Sequence, residues 1–249
     1  MVLNRKNLAK LIGLDHFYVG FPGHEIRDLK KLTAFPFCVF NSVKSGKDSW
    51  SGVYWTTTHQ SYFEMVESQT PGDFQMGVAL SANQIQYVDL RGLQSLFPGL
   101  KKSTRRLNGK RWFDYFYWEE TSPFYVWAMH YHFLDRQRKF PPPSEPSVIE
   151  RFTELNVIAP LNLIKTIEES CGWAPMRVRR RRSSVQIIIK NKDRSDFTIK
   201  CRLSEKAETV QFVSLKAELS PFQRPLPTLK YFTLKRSGRT LILSRRSGS

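Results

Sequence analysis

The sequence has few cysteines and no long apolar run, and both shortages limit what the chain can be. Cys38, Cys171 and Cys201 are odd in number, widely spaced and outside C-x-x-C pairs, which predicts reduced thiols and argues against a disulfide framework or a zinc ribbon. No stretch approaches 18 uncharged apolar residues, so no transmembrane helix is expected. Residues 1–6 lack the apolar segment of a secretory signal. We expect a soluble, intracellular protein, nuclear in a eukaryotic host.

Acidic residues are scarce in the last third of the chain. Positions 177–249 hold 19 lysine and arginine residues but only 5 aspartate and glutamate residues, a net charge of +14. The whole chain carries +17, so the positive charge belongs to one module. A field this dense attracts polyanions by releasing the counterions condensed on them. The composition predicts nucleic acid as the partner, with an anionic membrane as an alternative.

The order of hydrophobic patterns predicts an α+β protein in three parts. Residues 1–146 are expected to form an aromatic-rich mixed α/β domain, which could also bind a protein partner. Residues 147–172 are expected to form a short helical connector, because Ser147 and Glu150 make a capping box and Pro160 restarts a second helix. Residues 173–249 alternate apolar and polar positions, most clearly in 197–203, which predicts a small antiparallel β module with one buried and one cationic face.

Within the first part, local patterns predict four segments. Residues 4–13 and 60–68 are expected to be helical, and 101–111 is expected to be a basic loop with a turn at Asn108-Gly109. Residues 84–90 are expected to form a strand. No internal repeat is apparent.

The aromatic region 111–140 allows two interpretations. In the first, residues 112–120 and 124–134 pair as a β-hairpin, which the aromatic and β-branched content favours. In the second, Ser122 caps a helix that begins at Pro123 and buries Phe124, Trp127 and Tyr131. The length and the Ser-Pro start tilt the choice slightly toward the helix.

The cations of the basic module are the main candidate binding residues. They lie in predicted turns and on one exposed strand face, where phosphate contacts are expected. Tyr231 is expected to expose a ring on which a base could stack. The predicted nucleic-acid-binding residues are Arg177, Arg179, Arg180, Arg181, Arg182, Lys190, Lys192, Arg194, Lys200, Arg202, Tyr231, Lys235, Arg236, Arg239, Arg245 and Arg246.

His130 and His132 are the candidate catalytic residues. On a strand, residues two apart point to one side, so both imidazoles could hold one divalent metal; on a helix they could not. The sequence His130-Tyr131-His132 resembles the His-hydrophobic-His motif of rolling-circle replication nucleases and relaxases. That resemblance implies a nearby tyrosine that attacks a DNA phosphate, yet the next tyrosine is Tyr231.

Three functional hypotheses follow from these patterns. The first is a non-enzymatic nucleic-acid-binding protein without a cofactor, which contacts the phosphate backbone through the basic module. The second is a metal-dependent nuclease or strand transferase that uses His130 and His132 and a divalent metal. The third is an assembly or matrix-type protein that binds an anionic membrane or a genome. Glycine-rich phosphate loops are absent, so ATP-driven activity is not expected.

Overall fold

The computed structural model describes residues 5–45, 48–59, 61–67, 76–82, 90–107, 109–118, 124–132, 148–171, 174–221 and 225–246. Most of them lie in strands. The strands are β1 Ile12–Phe21, β2 Cys38–Ser45, β3 Asp48–Thr56, β4 Tyr62–Glu67, β5 Met76–Ala82, β6 Lys101–Leu107, β7 Lys110–Tyr117, β8 Phe124–Tyr131, β9 Ile149–Pro160, β10 Arg177–Arg181, β11 Ser184–Lys190, β12 Asp196–Ser204, β13 Gln211–Leu219, β14 Phe232–Ser237 and β15 Thr240–Arg245.

Helices are few and short in the described ranges. The α-helices are α1 Arg5–Leu11, α2 Gly23–Leu29, α3 Leu93–Leu96 and α4 Leu163–Cys171, and 3₁₀ turns cover Lys30–Ala34 and Leu90–Gly92. The longest of them, α4, has nine residues. None of these helices could cross a lipid bilayer.

The strands form two mixed sheets. The first sheet has the order β2-β3-β4-β1-β5-β8-β7-β6, and the second has the order β10-β11-β12-β9-β13-β15-β14. Three units share one topology: a strand, a helical segment and three further strands, the last of which returns parallel to the first. In these units β1 pairs with β4, β5 with β8, and β9 with β12. The repeat is therefore visible in topology, although no repeat is apparent in the sequence.

One hydrophobic core joins the two sheets. The ring of Phe17 on β1 is fully buried and lies 4.7 Å from Phe63 on β4, both in the first sheet. Across the interface the same ring lies 5.1 Å from Phe152 on β9 and 4.6 Å from Phe197 on β12. The inner faces of the sheets thus pack against each other, and their outer faces point away from this core.

The predicted α+β class with a helical connector is wrong, because the chain is mostly β and residues 149–160 form the central strand of the second sheet. Ile149, Phe152 and Leu155 are buried at intervals of three, as on a helix. The partner strand β13 shifts register twice along this half of β9, and such bulges change the usual spacing of two. Pairing on both sides outweighs the local capping signal. The helix expected after Pro160 is confirmed as α4.

The strand interpretation of the aromatic region is correct, and the slight preference for a helix was wrong. β7 and β8 pair antiparallel from Phe113↔Tyr131 to Tyr117↔Trp127. On β8, Phe124, Val126 and Ala128 face the main core, while Trp127, Met129 and Tyr131 face the outer side of the first sheet. Both faces of the strand are covered, so its polarity does not alternate.

Two other local predictions are wrong, one strand was not predicted, and one prediction lies outside the described residues. Residues 62–67 form β4 instead of a helix, and 101–111 contribute to the β6–β7 hairpin instead of a loop. The turn at Gly109 is confirmed, with a φ of 77°. The strand β1 was missed altogether. The strand expected at 84–90 falls mainly on residues that are not described.

Candidate anion-binding face

The outer face of the second sheet carries the cations that the alternating pattern predicted. Phe197, Ile199, Cys201 and Leu203 of β12 are buried, so the intervening Lys200 and Arg202 point outward. Directly opposed residues on neighbouring strands share a face of the sheet. Two rows can therefore be followed across the outer face: Arg181–Ser184–Arg202 and Arg179–Gln186–Lys200.

Burial also makes the cysteine of this strand unreactive. Cys201 is enclosed by the core, and burial raises the pKa of its thiol to about 12. Burial likewise raises the pKa of Cys38. Neither residue is a nucleophile at neutral pH.

Many of the predicted binding residues are paired with acids. Arg177 and Lys190 both contact Asp196, at 3.6 and 2.7 Å. Lys192 contacts Asp15 of the first sheet at 3.3 Å. Further ion pairs join Lys200 to Glu154, Arg239 to Glu150 and Glu218, and Arg245 to Glu25. The acids neutralise part of the charge of these cations. The cations therefore contribute less to the electrostatic potential outside the protein than their number in the sequence suggests.

Glu154 is the acid that balances the centre of the outer face. Burial opposes its ionisation, but hydrogen bonds from Lys200, Lys216 and Asn156 prevail and lower its pKa from 4.5 to about 2. Because the folded-state pKa is lowered, the pairing stabilises the fold above the ordinary pKa and is lost as the pH falls toward 2. At neutral pH the glutamate is ionised and holds both lysines.

Five exposed cations without an ion pair in the described ranges gather at one end of the second sheet. Arg179 and Arg181 lie on β10, Arg182 lies in the turn to β11, Arg202 lies on β12, and Lys206 lies in the turn that follows. We call these five residues the cationic corner. Glu205 and Glu208 lie in the same following turn. The corner therefore keeps an excess of three positive charges.

Exposed aliphatic side chains accompany the cationic corner. Leu161 is 47% exposed just beyond β9, where Pro160 pairs with Ser204 of β12. Val213 is 37% exposed at the bulge of β13 beside β9. Among the described residues of the second sheet, no phenylalanine is exposed beside these aliphatic side chains, because Phe197, Phe212 and Phe232 are buried.

Tyr231 is not placed to stack a base on the cationic face. Its ring lies 4.9 Å from the ring of His24, and Lys230 lies over it at 5.0 Å. Its backbone N–H donates a hydrogen bond to Asp28. Among the other predicted residues, Lys235 is exposed on β14, away from the corner. Arg180, Arg194, Arg236 and Arg246 make other contacts within the fold.

His130 and His132 lie on one face of the β-strand region, with ring centroids 5.1 Å apart, but each contacts a different group. His130 Nδ1 lies 3.4 Å from the backbone N–H of Leu90. His132 Nε2 lies 3.2 Å from a carboxylate oxygen of the buried Asp114. Burial opposes ionisation of Asp114, but hydrogen bonds from Thr104, Arg111 and Lys102 prevail and keep its pKa well below the usual range.

A buried polar cluster around Asp15 was not anticipated from the sequence. Its carboxylate accepts hydrogen bonds from Ser81 Oγ at 2.6 Å and Tyr131 Oη at 3.2 Å, and it lies 2.8 Å from His16 Nδ1. Lys192 completes the cluster from the second sheet. A bulge between Leu14 and His16 places the side chains of Asp15 and His16 on the same face.

The signal for this bulge is present in the sequence. Apolar residues recur every second position in Ile12, Leu14, Phe17, Val19 and Phe21, except for one interval of three. An interval of three within an alternating run is typical of a bulged strand. Lys192 links the cluster to the second sheet, and the carboxylate of Asp15 has several partners, so we assign the cluster a structural role.

No metal site is formed by the residues that the structure describes. Within the described ranges, no group of three or more histidine, cysteine, aspartate or glutamate side chains could hold a metal ion. The conditional prediction of a divalent metal thus remains without a located site.

Comparisons with known proteins give a loose similarity in fold only. No protein-family model and no curated protein matches the sequence. Among solved structures, a hypothetical protein from Staphylococcus aureus is 11% identical, with a TM-score of 0.49. The superposition covers 81% of this chain and 88% of that protein. The halotolerant catechol dioxygenase BphC is 8% identical with a TM-score of 0.41, covering 84% and 68%. Glyoxalase I from Zea mays is 9% identical with a TM-score of 0.31, covering 84% and 76%.

None of these comparisons supports the description of the chain as a nucleic-acid-binding protein or nuclease. Of the three structures, the two with a named activity are a dioxygenase and a glyoxalase, and neither is described as binding or cleaving nucleic acid. The similarity is too weak to transfer either activity to this chain. The DNA-binding, RNA-binding and nuclease assignments thus lack support among known proteins, and the chemistry of the cationic corner follows from its own residues.

Proposed function

We propose that the protein attaches to anionic membrane surfaces through the cationic corner. The observation that supports this proposal is the segregation of charge on the second sheet: many of its cations are held by acids, whereas Arg179, Arg181, Arg182, Arg202 and Lys206 make no ion pair in the described ranges. Cations left unpaired on one side of a rigid sheet act together on a flat, charged surface.

The neighbouring side chains favour a lipid surface. Exposed aliphatic residues such as Leu161 and Val213 can enter the headgroup region, whereas a single-stranded nucleic acid would require exposed rings for stacking. Each lysine or arginine near an anionic leaflet contributes about 1 kcal/mol. An excess of three charges therefore predicts roughly 100-fold tighter binding to anionic than to neutral vesicles.

The arginines of β10 also have a simpler explanation. This strand is the edge of its sheet, and charged side chains on an edge prevent edge-to-edge pairing with other molecules. That explanation does not account for Arg202 and Lys206, which belong to β12 and the turn after it. The two explanations differ in their consequences, because an edge-protecting role affects aggregation and leaves vesicle binding unchanged.

Removing two corner charges tests the proposal. In Arg181→Ala/Arg202→Ala, binding to phosphatidylserine vesicles should weaken roughly 30-fold, since about 2 kcal/mol of attraction is lost. The matched control is Lys110→Ala/Lys235→Ala, which removes the same charge from exposed positions elsewhere and should change binding less than 3-fold. Vesicle co-sedimentation measures both. Equal losses in the two variants would show that only net charge matters and that the corner has no special role.

A variant that should bind vesicles more tightly tests the same proposal in the opposite direction. Glu154→Gln removes the acid that holds Lys200 and Lys216, and so it adds one uncompensated positive charge to the outer face. Binding to the same vesicles should strengthen about 5-fold. Unchanged binding would show that the outer face beyond the corner does not approach the membrane.

A further inference from the structure

The row Arg181–Ser184–Arg202 has the geometry of a site for a single phosphate group. Arg181 pairs with Ser184 across β10 and β11, and Ser184 pairs with Arg202 across β11 and β12. Adjacent strands are about 4.8 Å apart, so the two arginine backbones lie about 10 Å apart with a small side chain between them. Both arginine side chains are long enough to reach over the serine between them.

The adjacent row, Arg179–Gln186–Lys200, borders the same part of the outer face. We call the stretch of this face between Arg181 and Arg202 the gap. Arg179 and Gln186 are directly opposed on β10 and β11 and share the outer face with Ser184. Neither of the two rows contains a carboxylate on these three strands. Glu154, on the neighbouring strand β9, is held by Lys200 and Lys216. Arg179, Arg181 and Arg202, whose guanidinium groups make no ion pair in the described ranges, thus occupy neighbouring positions on the outer face with the hydroxyl of Ser184 and the amide of Gln186.

We infer that this gap binds a phosphomonoester carried by a lipid headgroup; the inference rests on the proposed function and narrows its ligand. A phosphomonoester carries a charge of about −1.5 to −2 and presents three terminal oxygens, which three guanidinium forks can share. A phosphodiester or a phosphatidylserine headgroup offers no such doubly charged terminal group. Guanidinium is suited to this role because its planar fork donates two parallel hydrogen bonds, whereas a lysine acts as a point charge.

The test compares two anionic lipids at equal surface charge. Full-length protein is titrated with vesicles of phosphatidic acid, which has a phosphomonoester headgroup, and with phosphatidylserine vesicles adjusted to the same zeta potential. We expect at least 10-fold tighter binding to phosphatidic acid. Equal affinity would overturn the inference and leave the proposed function standing. Binding to neither lipid would overturn the proposed function itself.

A charge-preserving variant separates recognition of the phosphate from general attraction. Arg181→Lys/Arg202→Lys keeps every positive charge but removes both forks, so the preference for phosphatidic acid over phosphatidylserine should fall to less than 3-fold. Both residues are exposed, so the variant should fold like the wild type. If the preference survives in this variant, the two arginines do not form the site.

A soluble ligand provides the last arm. Glycerol 3-phosphate carries the same phosphomonoester without the lipid, and it should bind at least 100-fold more weakly than phosphatidic acid vesicles by calorimetry, because the vesicle adds the attraction of its whole surface. Binding of glycerol 3-phosphate as tight as that of the vesicles would assign the site to a soluble metabolite and overturn the lipid assignment.

Discussion

Replacing Asp15 by alanine should lower the free energy of unfolding by about 3–5 kcal/mol, because the largely buried ammonium group of Lys192 would lose the counter-charge that Asp15 provides. The side chain of Lys192 is only 10% exposed, and that of Asp15 is fully buried. Ser81 and Tyr131 would also lose their shared acceptor. Chemical denaturation monitored by tryptophan fluorescence measures the change.

Two further variants show whether the loss arises from the contact between the sheets. Lys192→Met removes the partner instead, and the double variant Asp15→Ala/Lys192→Met should be less destabilised than the sum of the single changes, since neither charge is then stranded. The control is Asp196→Ala, which breaks half-exposed pairs with Lys190 and Arg177 and should cost less than about 1 kcal/mol. A loss in Asp15→Ala no larger than in this control would refute the structural role of the cluster.

Replacing Phe17 by alanine should cost about 3–5 kcal/mol, as for other buried phenylalanines. Its ring contacts Phe63 in its own sheet and Phe152 and Phe197 in the other sheet, so the cavity would open at the contact between the sheets. Phe17→Leu fills most of that space and should cost only about 1–2 kcal/mol.

The shape of the unfolding curve tests the shared core more sharply than the midpoint does. One core predicts a single cooperative transition that moves as a whole to lower denaturant in Phe17→Ala. Fluorescence, which reports mainly on the tryptophans of residues 50–127, and far-ultraviolet circular dichroism, which reports on both sheets, should give the same midpoint. Two separated transitions, of which only one moves, would show that the two sheets unfold independently.

The sequence predicted strands best where only one face of a strand is buried. Residues 197–203 alternate because the outer face is open to solvent, and this strand was predicted within two residues of its bounds. β8 and β4 are covered on both faces, which removes the alternation that identifies a strand. β9 has both the capping signal of Ser147 and a bulged spacing that imitates a helix, and only its pairing with β12 and β13 makes it a strand.

The candidate site could be predicted from the sequence only as a list of cations. Which of them are available depends on cross-strand partners: Lys200 and Arg202 are two residues apart on one strand, yet Lys200 is held by Glu154 and Arg202 has no ion pair in the described ranges. The partners Asp15 and Glu25 belong to the other half of the chain. No local pattern reveals such long-range pairs.

The most direct test of the account is binding of the unmodified full-length chain to vesicles over a salt series. Vesicles with 30% phosphatidylserine and neutral phosphatidylcholine vesicles are compared at about 50, 150 and 500 mM salt, over which the screening length falls from well above 8 Å to near 4 Å. We predict roughly 100-fold preference for the anionic vesicles at the lowest salt and its near-complete loss at the highest. Equal binding to both vesicles at low salt, or a failure to bind either, would contradict the assignment of the cationic corner as a membrane-binding surface.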